Sequence, residues 1–178
     1  MSQLKNNQRK LCKEYLAKLT ATQRKEYSSR IIEKLNDLVK DDCVLTYYPF
    51  SNEVDISLFN STKNVAYPVV DENHNMVFYK DNGCYKVNKY GIKEPDTSKS
   101  EIADVNDYRY IIVPLVGFDK DCHRLGHGGG YYDRFLNKNT SLIKIGVAYE
   151  IQRLEEICIE DNDISLDFIV SEQQIYRR

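Results

Sequence analysis

The sequence predicts an α/β fold: a three-layer α/β/α sandwich with a mostly parallel central sheet and an added β-hairpin. Three observations predict it. Short apolar runs alternate with stretches of helical periodicity, the order expected of strands joined by crossover helices. Residues 110–116 (YIIVPLV) form an unbroken apolar run, which fits a buried strand. A glycine-rich turn then leads straight into a helical pattern at Tyr131.

The elements follow in order. Leu4, Leu11, Tyr15 and Leu19 recur close to one helical face and predict a first amphipathic helix. Thr20-Ala21-Thr22-Gln23 reads as a capping box opening a second helix. Its buried stripe is Tyr27, Ile31, Leu35 and Leu38, and Asp41-Asp42 end it. Residues 43–48 read as a short strand, Pro49-Phe50-Ser51-Asn52 as a turn, and Glu53 as near the start of a helix. Residues 65–70 are another strand. Residues 76–79 and 84–87 read as a hairpin joined across Asp81-Asn82-Gly83, because Asn-Gly suits a type I′ turn. Tyr79, Tyr85 and Tyr90 are taken as hairpin aromatics that pack locally, with no site role. The polar residues 93–106 read as a loop crossing to the central strand, and residues 117–125 as a second loop. Residues 131–138 predict a helix, 143–149 a strand in which Gly146 permits close packing, and 151–157 a short helix. Residues 159–167 form an acidic, largely solvated loop before a final strand at 168–171.

Composition narrows the function. At 178 residues and 20.8 kDa, one domain spanning 1–178 is expected, with enough chain for a real core. A formal net charge of −2 argues against a protein that coats nucleic acid or an anionic membrane. No apolar run approaches the roughly 20 residues of a spanning helix, and the polar start MSQLKNNQRK lacks a signal-peptide core. The five cysteines (Cys12, Cys43, Cys84, Cys122, Cys158) are scattered and never paired as CxxC, as in a cytoplasmic protein with reduced thiols. Cys122 lies beside the glycine turn, where modification without a catalytic role stays open from the sequence.

The chemistry concentrates in residues 113–134, VPLVGFDKDCHRLGHGGGYYDR. Four of the chain's 8 glycines fall at Gly126, Gly128, Gly129 and Gly130. Glycines let backbone N–H groups turn inward and admit a bulky ligand, and a turn before a helix N-terminus favours an anion. Arg124 adds a planar cation suited to phosphate oxygens. Asp133, three residues past the last glycine, is placed to hold magnesium against that phosphate. Named phosphate motifs do not fit. Tyr131-Tyr132 stand where a Walker loop needs Lys-Ser/Thr, and Tyr131 where a dinucleotide fingerprint needs its last glycine.

The pattern Arg124-Leu125-Gly126-x-Gly128-x-Gly130-Tyr131-Tyr132-Asp133-Arg134 resembles the signature of the 5-formyltetrahydrofolate cyclo-ligases, also called methenyltetrahydrofolate synthetases. Pro114, the Gly117-Phe118-Asp119 turn, Gly146-Val147-Ala148-Tyr149 with Gln152, and Asp163 followed by Asp167 extend the resemblance from near residue 5 to near residue 172. It implies the three-layer sandwich and an ATP-driven closure of 5-formyltetrahydrofolate to 5,10-methenyltetrahydrofolate, releasing ADP and phosphate. A phosphorylated formyl intermediate and attack by N10 belong to that implied mechanism. Lys5 and Arg9, one helical turn apart, are implied to hold ATP. With them stand Arg124, Leu125, Gly126, His127, Gly128, Gly129, Gly130, Tyr131 and Tyr132. Folate contacts are implied at Tyr48 and Glu53, and along His127, Gly128, Gly129, Gly130 and Tyr131. Magnesium falls to Asp133 and Asp163, and the chemistry to Arg124, Tyr131 and Asp133. A monomer is expected, with two small-molecule substrates and neither nucleic acid nor membrane as partner.

The chain departs from that family at two positions. His127 stands where relatives often carry Arg, and Gly129 where relatives carry Lys, so the phosphate grip here is less cationic. Two other classes stay open from the sequence. One is a relative that binds nucleotide or folate without turnover. The other is an α/β enzyme acting on a sugar phosphate or acyl-CoA, since fold does not fix function.

Overall fold

The computed structural model describes residues 3–89 and 91–178. It opens with α1 (Gln3–Leu16) and α2 (Ala21–Leu38). The capping box forms as expected: the Gln23 amide N–H donates to Thr20 Oγ1 at 3.2 Å, and the Thr20 N–H donates to Gln23 Oε1 at 2.9 Å. β1 (Cys43–Leu45), α3 (Ser57–Asn60), β2 (Asn64–Val70) and β3 (Met76–Lys80) follow. Next come the small strands β4 (Tyr85–Val87) and β5 (Lys93–Pro95), then the central β6 (Tyr110–Pro114). The chain ends with β7 (Gly117–Phe118), β8 (Arg124–Leu125), α4 (Tyr131–Lys138), β9 (Ile143–Val147), β10 (Phe168–Val170) and β11 (Ile175–Arg177).

Seven strands make one sheet in the order β11-β10-β9-β6-β1-β2-β3. The inner pairings from β10 to β2 are parallel, and the edge pairings β10–β11 and β2–β3 are antiparallel. Alternation along the strands sends neighbouring side chains into two cores. Val44, Tyr110 and Ile112 join Leu16, Ile31, Leu35 and Phe59 beneath α1, α2 and α3. Leu45, Ile111 and Val113 join Phe78, Phe135 and Leu136 beneath α4. This is the predicted mostly parallel α/β/α sandwich. Each fully buried Ile, Leu or Phe stabilises it by roughly 1.5–3 kcal/mol.

Several local expectations are corrected. The buried face of α1 is Lys5, Cys12 and Leu16, one residue round from the predicted stripe, and Leu4 is 56% exposed. The predicted 76–79/84–87 hairpin does not form. β3 instead pairs with the longer β2 over five residues, and β4 pairs with β5, so the added hairpin includes part of the segment read as a loop. The Asp81 and Asn82 side chains accept the N–H groups of Gly83 and Cys84, which spends on side chains the donors that a tight turn would direct to the opposite strand. The other predicted loop, 117–125, contains the β7–β8 ribbon. Residues 151–157 give only a 3₁₀ turn, Glu150–Gln152, because the Leu154 and Ile157 N–H groups donate to Phe118 O and Asp119 Oδ2. β10 is not the final strand, since β11 follows it, and Glu53 lies in a bend rather than at a helix start. Tyr90 lies outside the described residues. Among the described residues no helix is long and apolar enough to cross a membrane.

Candidate active site

A cleft of about 1780 Å³ opens beyond the carboxyl ends of β1, β2 and β6, where open α/β sheets bind ligands. Every residue singled out as a site candidate lines it, from Lys5 and Arg9 on α1 to Asp163 on the acidic loop. α1 contributes because Lys5 faces inward: its side chain is 6% exposed although it carries a charge. The glycine turn contributes because Gly130 takes a left-handed conformation (φ 66°) that an L side chain would strain, and this turns the chain into α4. At Gly129 an added Cβ would come 2.6 Å from the Tyr131 ring, so a side chain there would require that ring to shift.

Charges in the cleft meet as pairs. Lys5 Nζ hydrogen-bonds Asp163 and lies 3.1 Å from Glu160 Oε2. Burial alone would lower the Lys5 ammonium, but the hydrogen bonds and charges of Asp163 and Glu160 outweigh it and raise it above the ordinary lysine value. Arg124 Nη2 donates to Asp133 Oδ1 at 2.7 Å, and the Ile164 N–H donates to the same oxygen at 3.3 Å. Arg9 Nε donates to Gly126 O at 2.8 Å, tying α1 to the glycine turn. His127 Nε2 stands 3.3 Å from Glu53 Oε1, while Glu53 Oε2 accepts the Phe50 N–H at 3.0 Å. Glu53, expected on the folate, and His127, expected on both substrates, therefore touch.

Tyr48 lines the cleft and is backed by aromatic rings that do not. Tyr48 stacks on Tyr67 with ring centroids 3.6 Å apart and meets Tyr85 edge-on at 5.3 Å. Lys93 Nζ lies 3.6 Å from the Tyr85 centroid and 5.1 Å from that of Tyr48. Burial pushes the Tyr48 and Tyr132 phenols well up, so both stay protonated at neutral pH. The Tyr48 hydroxyl and Arg124 Nε are buried without a hydrogen-bond partner among the described residues, two unspent polar atoms in side chains of this cleft.

For a metal, the described residues hold no cluster of three His, Cys, Asp or Glu side chains able to bind one unaided. Asp133 and Asp163 each commit one oxygen to protein donors, through Oδ1 and Oδ2 respectively. The remaining carboxylate oxygens fit Mg²⁺, which takes one or two carboxylates and completes its shell with water and substrate phosphate.

Sequence reasoning missed some of this. Glu160, read as solvated, pairs with Lys5, and Lys93 reaches Tyr48 from a hairpin placed wrongly. Neither carries a local signal, because both contacts depend on tertiary approach. Gln152 and Asp167 do not line the cleft. Gln152 donates to the Leu115 and Val116 carbonyls and accepts the Tyr149 N–H, and Asp167 pairs with Lys144. Cys122, whose reactivity the sequence left open, is fully buried, and burial first and Asp119 second push its thiol up to about 11, which disfavours modification.

Fold and cleft together mark the chain as an α/β enzyme. A model of the 5-formyltetrahydrofolate cyclo-ligase family matches residues 1–172, and the chain belongs to that family. It is 32% identical over 164 residues to the 5-formyltetrahydrofolate cyclo-ligase of Haemophilus influenzae, covering 84% of this chain and 88% of that one. Among solved structures, the 5,10-methenyltetrahydrofolate synthetase of Aquifex aeolicus superposes with a TM-score of 0.84 at 34% identity, over 98% of this chain and 92% of that one. The 5,10-methenyltetrahydrofolate synthetase of Mycoplasma pneumoniae gives 0.76 at 25% identity, over 94% and 98%.

Proposed function

We propose that the chain converts 5-formyltetrahydrofolate and ATP to 5,10-methenyltetrahydrofolate, ADP and phosphate. The observation that carries this reading is the cleft itself, where phosphate-type cations, two carboxylates and Tyr48 face one space. A formamide oxygen is a poor leaving group and needs activation. The formyl oxygen attacks the γ-phosphorus, the bond to ADP breaks, and an imidate-type phosphate forms. N10 then adds to the activated carbon, gives up its proton, and phosphate departs with the formyl oxygen as the ring closes.

The protein's part is alignment and charge neutralisation, which dominate phosphoryl transfer. Arg124, Lys5, Arg9 and the glycine-turn amides grip the phosphates, and Tyr131 stands at the turn against both substrates. Magnesium arriving with ATP would be held by Asp133 and Asp163, and would neutralise charge on the phosphate oxygens. Glu53 offers a carboxylate to adjacent N–H donors on a pterin edge, beside Tyr48. Ring closure is intramolecular, so holding N10 near the formyl carbon supplies much of the remaining rate. We propose a monomer working as a single domain.

The test is the absorbance change as methenyltetrahydrofolate forms, run with and without ATP and magnesium. Product formation that requires both supports the reading. Binding without ADP release would point instead to a carrier.

A further inference from the structure

Asp119 lies outside the cleft and is 1% exposed, yet its carboxylate is fully engaged. Oδ1 accepts the N–H groups of Asp121 and His123, each at 3.0 Å. Oδ2 accepts the Ile157 N–H at 3.0 Å and lies 2.9 Å from His123 Nδ1. Four donors fill a carboxylate's capacity. The first two bonds shape the turn between β7 and β8, so they fix where Arg124 begins. The Ile157 bond holds the start of the segment that carries Glu160 and Asp163. The end of that segment returns to the same turn, where the Leu166 N–H donates to Cys122 O at 3.0 Å. Residues 157–166 are thus a loop tied at both ends to residues 119–122, immediately before Arg124. Gln8 adds an outer tie, donating to Glu156 O at 2.7 Å and accepting the Cys158 N–H at 3.1 Å.

We propose that Asp119 is a positioning residue that fixes where Arg124, with its partner Asp133, stands relative to the loop carrying Asp163, by locking turn 119–123 and segment 157–166 into one unit. This rests on the nucleotide reading of the cleft given above. The clamp touches only one half of the site: Arg124, Asp133 and Asp163 lie on or beside the clamped segments, while Tyr48 and Glu53 lie on the loop after β1. Loosening it should therefore injure nucleotide use and spare folate binding.

Asp119→Asn keeps the shape but turns an NH₂ group toward two of the four donors, so either the turn or the Ile157 tie is lost. The KM for ATP should rise about tenfold with a fall in kcat, while the KM for 5-formyltetrahydrofolate stays within about twofold. His123→Ala removes one bond and should move the same constants by about threefold, with His123→Gln, whose amide can still donate, restoring them. If Asp119→Asn fails to fold, the two His123 variants decide. Equal rises in both KM values, or kinetic constants unchanged in both sets while only the melting temperature falls, would overturn the clamp. Wild type that forms product without ATP would overturn the reaction itself, and the clamp's nucleotide role with it.

Discussion

Lys5 and Asp163 stand 158 residues apart in sequence and form a partly buried ion pair in the cleft. Arg124 and Asp133 form a second. In the proposed reaction these cations serve the phosphates and these carboxylates the metal, and each cation is paired with one of the carboxylates. Free ATP would face the carboxylates and free Mg²⁺ the cations, whereas the Mg²⁺–ATP complex offers each a new partner. Positive coupling follows: Mg²⁺ tightens ATP binding and ATP tightens Mg²⁺ by the same factor, roughly 5- to 150-fold. Calorimetric titration of ATP with and without a chelator measures it, and equal affinities would refute it.

Lys5→Ala leaves Asp163 and Glu160 without their ammonium. ATP binding should weaken and lose part of its salt sensitivity, with the folate KM little changed. Stability should fall by roughly 1–3 kcal/mol, since Glu160 is half exposed and readily hydrated. The raised Lys5 value means this contribution is complete at neutral pH and disappears only as pH climbs through that value. Denaturant melts at pH 7 and steady-state kinetics in two salt concentrations check both halves.

Asp133→Asn should bind folate nearly normally and lose at least about a hundredfold in kcat. The Arg124 pair loses a charge but keeps an amide acceptor, so the helix start survives. Folate affinity falling along with kcat would assign Asp133 to helix structure instead. Asp163→Asn should follow the same pattern more weakly.

Glu53→Gln should raise the folate KM roughly tenfold and disturb ATP less, because it removes the charge that favours pterin N–H donors. An ATP KM that rises as much would move Glu53 to the nucleotide side. His127→Arg probes the same junction. A fixed cation beside the phosphate turn should tighten ATP binding and raise its salt sensitivity. Unchanged ATP affinity at both salt concentrations would make the His127 side chain a bystander.

Burial pushes the Cys12 thiol up to about 11, as it does Cys122. At pH 8 both should resist an aromatic disulfide reagent, while the partly exposed Cys43, Cys84 and Cys158 react. Because the folded values are raised, the thiol form's stabilisation is present at neutral pH and is lost as pH rises from about 9 to about 11. Reaction of all five in the native protein at pH 8 would contradict the buried placement.

The sequence by itself determined the layered α/β class and the strand–turn–helix centre. Its signals are local there: an unbroken apolar run, a capping box at Thr20, and glycines whose conformations a helix entry requires. The resemblance of the 124–134 motif named the cleft-lining residues, and the structure gathers all of them around one space. Tertiary structure alone decided the partners. β3 pairs back onto the strand before it, β2, rather than forward onto β4, and residues 151–157 gave up helix because Phe118 and Asp119 took their donors. Whether Glu160 is solvated or paired, and whether Asp119 is an ordinary turn acid or a buried clamp, depends on which segments pack together. Long-range hydrogen bonds and ion pairs leave no periodic trace in a sequence, so these roles appear only once the chain is folded.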